Sequence, residues 1–208
     1  MNNKMSEVSN IKILWISVFV SVLIWSGYQP KDVITWWLEV MPAFIGFIVL
    51  AFTYQSFRLT TLVYVLILIH CIILMVGGHY TYAEVPLFDS LSDVFGFTRN
   101  NYDKLGHLAQ GFVPAMITRE IILRKNVVNG AGWQNFFIVC FCLALSAFYE
   151  LLEWWVALLS TEAAASFLGT QGYVWDTQSD MMWALTGAIS ALLLLGRWHS
   201  RQLEEIKS

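Results

Sequence analysis

A helix that crosses a bilayer needs about 20 mostly apolar residues, and six stretches of this chain approach that requirement. They are Ile13–Gly27, Val33–Tyr54 (broken only by Glu39), Leu59–Val76 (carrying His70), Gly106–Leu123, Trp133–Leu159 and Asp180–Leu195. The fourth is the most polar, with His107, Gln110, Arg119 and Glu120 inside it, and the fifth carries Glu150 and Glu153 near its end. Two long polar connectors separate the blocks, residues 77–105 and 160–179. The pattern predicts an all-α polytopic membrane protein, a bundle of about six transmembrane helices forming one integral domain over residues 1–208. The first apolar block lacks a small-residue cleavage site before Gln29-Pro30 and reads as a retained helix.

Composition agrees with the pattern. Hydrophobic residues make up 57% and charged residues 13%, against about 25% charged in a typical soluble domain. Ten tryptophans suit the bilayer–water boundary, where an apolar ring with a polar edge is favoured. The absence of a basic tract argues against a nucleic-acid partner; the partner implied is the lipid bilayer. Cys71, Cys140 and Cys142 lie in apolar runs and read as inert thiols. Basic residues set the orientation. With the N-terminus in the cytoplasm, the inner segments hold Lys4, Lys12, Arg58, Arg119, Arg124, Lys125, Arg197, Arg201 and Lys207, and the outer ones only Lys31, Arg99 and Lys104. Both termini are then cytoplasmic and both long connectors lie outside.

That orientation gathers the ionisable residues at one depth. Glu39, His79, Asp103, His107, Glu150, Glu153, Asp176 and Asp180 all fall near the outer ends of their helices. Asp103 and His107 are four apart, as are Asp176 and Asp180, and Glu150 and Glu153 are three apart, so each pair shares a helical face. Two glutamates on one face of an apolar helix repel unless a proton or cation lies between them, and His107, Lys104 or a metal would supply it. The candidate catalytic set is Asp103, His107, Glu150, Glu153, Asp176 and Asp180; the candidate ligands for a divalent metal are His79, His107, Glu150, Glu153 and Asp180. A structural reading competes: Asp103, Asp176 and Asp180 suit helix N-termini, where free N–H groups accept a carboxylate. His70 reads as an interhelical hydrogen-bonding residue and His199 as a solvated tail residue. Gly187 with Ala184 and Ala188 makes a small-residue face for close helix packing. Gly77-Gly78 is expected to end the third helix, and Pro114 to bend the fourth.

The runs Gly77-Gly-His-Tyr-Thr-Tyr, Tyr102-Asp-Lys-Leu-Gly-His107, Phe148-Tyr-Glu-Leu-Leu-Glu153-Trp and Tyr173-Val-Trp-Asp-Thr-Gln-Ser-Asp180-Met together resemble the bacterial inner-membrane family typified by YjdF. The resemblance implies location in the cytoplasmic (inner) membrane and brings no assigned substrate. Asp103, Lys104, His107, Glu150 and Asp180 also resemble a pattern of VanZ-like membrane proteins, which are linked with glycopeptide or lipopeptide resistance; where those often carry asparagine before the last helix glycine, this chain has Ala184-Leu185. Three functional classes follow. One is a membrane-embedded, metal-dependent enzyme acting on a lipid or lipid-linked substrate. The second is a proton- or cation-coupled transporter, in which a homo-oligomer would complete the pathway. The third is an accessory membrane protein whose polar cluster holds helices in place. They part on whether His107, Glu150, Glu153 and Asp180 converge.

Overall fold

The computed structural model describes residues 2–159 and 173–207, with side chains over 11–159 and 173–206. Seven helices make up the described fold: α1 (Asn2–Gly27), α2 (Val33–Thr53), α3 (Thr61–Tyr80), α4 (Pro86–Phe95), α5 (Tyr102–Lys125), α6 (Ala131–Leu159) and α7 (Asp176–Lys207). No strand occurs among the described residues. Local chemistry sets the helix ends. The Asp32 carboxylate accepts the Thr35 backbone N–H at 2.6 Å to cap α2, and that bond holds its carboxyl below the usual range. Thr60 caps α3, Pro86 opens α4, and Gly96 closes α4 in the left-handed conformation.

The helices are apolar on the outside. Ile34, Ile45, Ile48 and Phe52 of α2, Phe136, Phe137 and Phe141 of α6, and Leu193 and Leu194 of α7 are all exposed. In water such a surface would aggregate; against acyl chains it is the required one. Helices α2, α3, α6 and α7 have the length and hydropathy to cross a bilayer, while the apolar part of α1 (Ile11–Gly27) is shorter. The six expected helices all join one bundle: α1 and α2 pack on α3, α6 packs on α7, and α5 is surrounded by α3, α6 and α7. The protein is an all-α polytopic membrane protein.

Helix α5, the most polar, is thus the most sheltered. Its Gly106, His107, Ala109, Gly111, Val113, Ala115, Met116 and Glu120 are buried. It runs parallel to α7 and in near backbone contact with it. A Cβ on Gly111 would lie 1.7 Å from the Ala184 carbonyl oxygen, and one on Gly187 would lie 2.1 Å from the Leu108 carbonyl oxygen. Ala184 and Ala188 are fully buried in the same seam. This is the close approach that the small-residue face implied.

Several expectations change. Helix α3 continues through Gly77-Gly78 to Tyr80. The glycines serve packing instead: the Tyr82 ring, on a backbone with φ 58°, wedges between Gly77 and Gly106, where a Cβ would approach it to 2.2 Å and 2.8 Å. The connector 77–105 is partly helical because α4 buries Ser92 and fastens to the loop after it, with Ser92 Oγ donating to the Arg99 carbonyl and Asn100 Nδ2 to Asp89. His70 is half-buried on α3 and forms no hydrogen bond among the described residues.

His199 is the largest correction. It is fully buried, because α7 extends to Lys207 rather than ending at Leu195. Its Nε2 lies 3.0 Å from Glu120 Oε2 and its Nδ1 2.8 Å from Arg119 Nη1. Arginine can only donate, so Nδ1 accepts and Nε2–H donates to the carboxylate. Glu120 also accepts from the Thr60 hydroxyl and backbone N–H and from Arg124. This buried network joins α3, α5 and α7 at the end of the bundle opposite His107.

The seam yields a direct test. Gly111→Ala or Gly187→Ala forces the backbones apart and is expected to cost about 3 kcal/mol or more, read as a lower melting temperature in detergent. Gly46→Ala, whose Cβ meets nothing within 4 Å, leaves the melting temperature unchanged or raises it slightly. Equal behaviour of the three variants would contradict the seam.

Candidate functional site

At the other end, four helices converge on one imidazole. His107 sits one turn into α5, and its Nδ1 lies 3.0 Å from Gln110 Oε1. That bond places the proton on Nδ1 and points Nε2 into a ring of carboxylates. Asp103 Oδ1 is 3.3 Å from Nε2, Glu150 Oε1 3.9 Å and Asp180 Oδ2 4.0 Å. Asp103 comes from the first turn of α5, Asp180 from the second turn of α7 and Glu150 from the last third of α6. Their meeting follows from the parallel α5–α7 seam, which brings both helix N-termini to the same place. Those ends carry partial positive charge that favours carboxylates nearby.

Two overlapping sets of three hold their ligand atoms within 4.8 Å of one another: Asp103, His107 and Asp180, and His107, Glu150 and Glu153. His107, Glu150 and Asp180 are buried. Glu150 Oε1 and Asp180 Oδ1 are buried with no hydrogen-bond partner. Buried carboxylate oxygens are seldom left so, because removal from water costs several kcal/mol unless a proton, donor or cation replaces it. His107 Nε2 is the basic atom nearest Glu150, 3.9 Å from its Oε1.

The other candidates fall on the rim or away from it. Asp176 is buried and accepts from Arg99 Nη1 at 2.7 Å, while Arg99 Nη2 lies 3.6 Å from Asp103. Arg99 therefore ties the α4–α5 loop to the start of α7. His79, expected as a metal ligand, is not brought to the others. Its Nδ1 meets the Ser26 carbonyl at 3.0 Å and its ring packs 4.7 Å from that of Trp25, since the last turn of α3 faces α1 there.

Reading along the chain missed four participants. Glu39, at the same depth in the sequence but outside the candidate sets, approaches the cluster from α2, where Tyr149 Oη lies 3.3 Å from its Oε2; its electrostatic neighbours include Asp103, His107 and Glu153. Gln110 orients the imidazole, Tyr149 is one residue before Glu150, and Arg99 closes the rim. The available signal was depth: each lies at the level of the residues already singled out.

A family described as "Predicted membrane protein (DUF2238)" matches residues 11–201, a range that contains every residue of this cluster. The chain belongs to this family. It is also 50% identical over 182 residues to the "Inner membrane protein YjdF" of Escherichia coli (strain K12), covering 88% of this chain and 87% of that protein. No solved structure matches. Neither description assigns an activity, so chemistry has to be argued from the cluster.

Membership of Glu39 in the cluster is testable by a double-mutant cycle. Glu39→Gln and Tyr149→Phe are expected to show a coupling of about 1 kcal/mol in thermal stability. Additive effects would remove Glu39 from the site.

Proposed function

We propose that this chain is an inner-membrane protein that holds a divalent cation at the outer end of its helix bundle and uses it on a lipid or lipid-linked substrate. The observation that carries the reading is the convergence of Asp103, Glu150 and Asp180 on His107 Nε2, with two buried carboxylate oxygens lacking partners. Carboxylate–imidazole sets suit zinc, manganese or iron. Metal–ligand distances of about 2.0–2.2 Å require only side-chain adjustment from the present separations. A bound cation would polarise a phosphoryl or acyl oxygen or acidify a water. Glu153 and Glu39, beside the inner ligands, are placed to take up a proton, and Arg99 on the rim is placed to meet an anionic head group.

Transport is less well supported. Between the His107 cluster and the Glu120 network the buried core is largely apolar, with Ile67, Cys71, Val113, Met116, Ile138, Cys142 and Ala188. An amphiphilic substrate is supported by α4, which carries exposed Leu87, Val94 and Phe95, followed by exposed Phe97, beside the loop that bears Arg99. Such a helix suits the membrane interface.

The orientation belongs to the same proposal. Lys12, Arg58, Arg119, Arg124, Lys125, Arg197 and Arg201 lie at the end opposite His107, and the positive-inside rule assigns that end, with both termini, to the cytoplasm. In intact cells, a cysteine introduced by Asp93→Cys should react with a membrane-impermeant thiol reagent, and one introduced by Arg201→Cys only after permeabilisation. The reverse pattern would invert the assignment.

The cation is tested on protein purified in detergent, supplied with zinc or manganese and freed of excess ion. Wild type is expected to retain about one metal per chain, and the double variant Glu150→Gln, Asp180→Asn at least about tenfold less. Wild type holding less than about 0.1 metal per chain rejects the metal site.

A further inference from the structure

A second binding feature lies on the far end of the molecule, away from the His107 cluster. The first turns of the apolar part of α1, the last turns of α2 and the start of α3 enclose a groove of about 360 Å³, within the range of about 300–1,000 Å³ that holds small ligands. Its wall is apolar and includes Ile11, Trp15, Phe47, Leu50 and Val65. Two cations, Lys12 and Arg58, line it, and among the described residues no carboxylate does.

The groove is built rather than incidental. Trp15 Nε1 donates to the Tyr64 carbonyl at 2.8 Å, which holds the indole in place. Trp15 and Phe47 line the groove and both stack on the buried Phe19 beneath, at 5.5 Å and 4.9 Å, so the aromatic floor is backed by a third ring. At the mouth, Lys12 Nζ lies 4.4 Å and Arg58 Cζ 5.6 Å from the centroid of the Tyr54 ring. One aromatic ring thus holds both charges at the groove. The turn bearing Arg58 is tied down where Arg124 Nη1 donates to the Arg58 carbonyl at 2.6 Å, linking it to the Glu120 network. Neither Lys12 nor Arg58 forms an ion pair among the described residues.

We infer that this groove binds one anionic phospholipid, with an acyl chain along the aromatic floor and the phosphate between Lys12 and Arg58. Charge decides the headgroup class. Lys12 and Arg58, with no carboxylate among the described lining residues, attract a net negative headgroup and offer nothing to the ammonium of a zwitterionic one. Location decides in favour of lipid over a soluble anion, because the apolar wall continues into the lipid-facing surface, where Ile11 and Ile16 are exposed. Basic pockets between helices at the cytoplasmic side are a recurring form of anionic-lipid recognition. The inference is independent of the metal site and shares no residue with it.

Native mass spectrometry of the full chain in detergent, with phosphatidylglycerol or phosphatidylcholine added, tests it. Wild type is expected to retain one phosphatidylglycerol per chain under conditions that strip phosphatidylcholine. The double variant Lys12→Gln, Arg58→Gln should lose that retention by about tenfold or more, while Arg58→Lys keeps most of it. Inorganic phosphate at the same concentration should not displace the lipid; displacement would mean a free anion is the occupant and would overturn the proposal. Equal retention of the two lipids by wild type, which requires no variant to fold, would also overturn it, as would undiminished retention by the double variant.

Discussion

The structure depends on the close crossing of α5 and α7. Helix α5 carries more polar groups than a bilayer tolerates on an exposed span, and it persists because α3, α6 and α7 surround it. Gly111, Gly187, Ala184 and Ala188 let the two backbones approach to a distance that a β-carbon on either glycine would prevent. Without that approach α5 would present its polar face to lipid, and Asp180 would not reach His107. The same parallel register that places Asp180 beside His107 places His199 beside Arg119 at the other end.

The two ends use similar residues to different effect. Around Glu120 every charged group is answered: the Thr60 hydroxyl and N–H, His199 and Arg124 all donate to one carboxylate. A fully connected network of this kind fixes helix positions and leaves nothing for a ligand. Around His107 the balance is reversed. Asp103, Glu150, Glu153 and Asp180 face one imidazole, and two of their oxygens have no partner. In a low-dielectric setting that excess of negative charge requires a proton or a cation. The contrast separates a structural polar cluster from one with unused binding capacity.

Surface features repeat the asymmetry. The His107 end is bordered by the amphipathic α4 and by Arg99, which joins the α4–α5 loop to Asp176. The opposite end gathers most of the basic residues and contains the groove between α1, α2 and α3. On the proposed readings, the two ends would meet lipid by different chemistry, a metal cluster at one and a basic groove at the other.

The sequence by itself determined the all-helical membrane class and located the six long helices, though neither the full reach of α7 nor the short α4, because burial in lipid demands long apolar runs and makes each charge conspicuous. It also exposed the small-residue face of α7, since Ala184, Gly187 and Ala188 lie on one side of a helix. It did not reveal which charges at one depth point inward: His79 and His107 look alike along the chain, but one packs on α1 and the other is aimed by Gln110 into the cluster. Nor did it reveal that His199 is buried, which required α7 to extend beyond its apolar segment and meet Glu120. Only the tertiary structure decided these, because helix rotation and register are set by contacts between segments far apart in the chain, whereas span length and hydropathy are local properties.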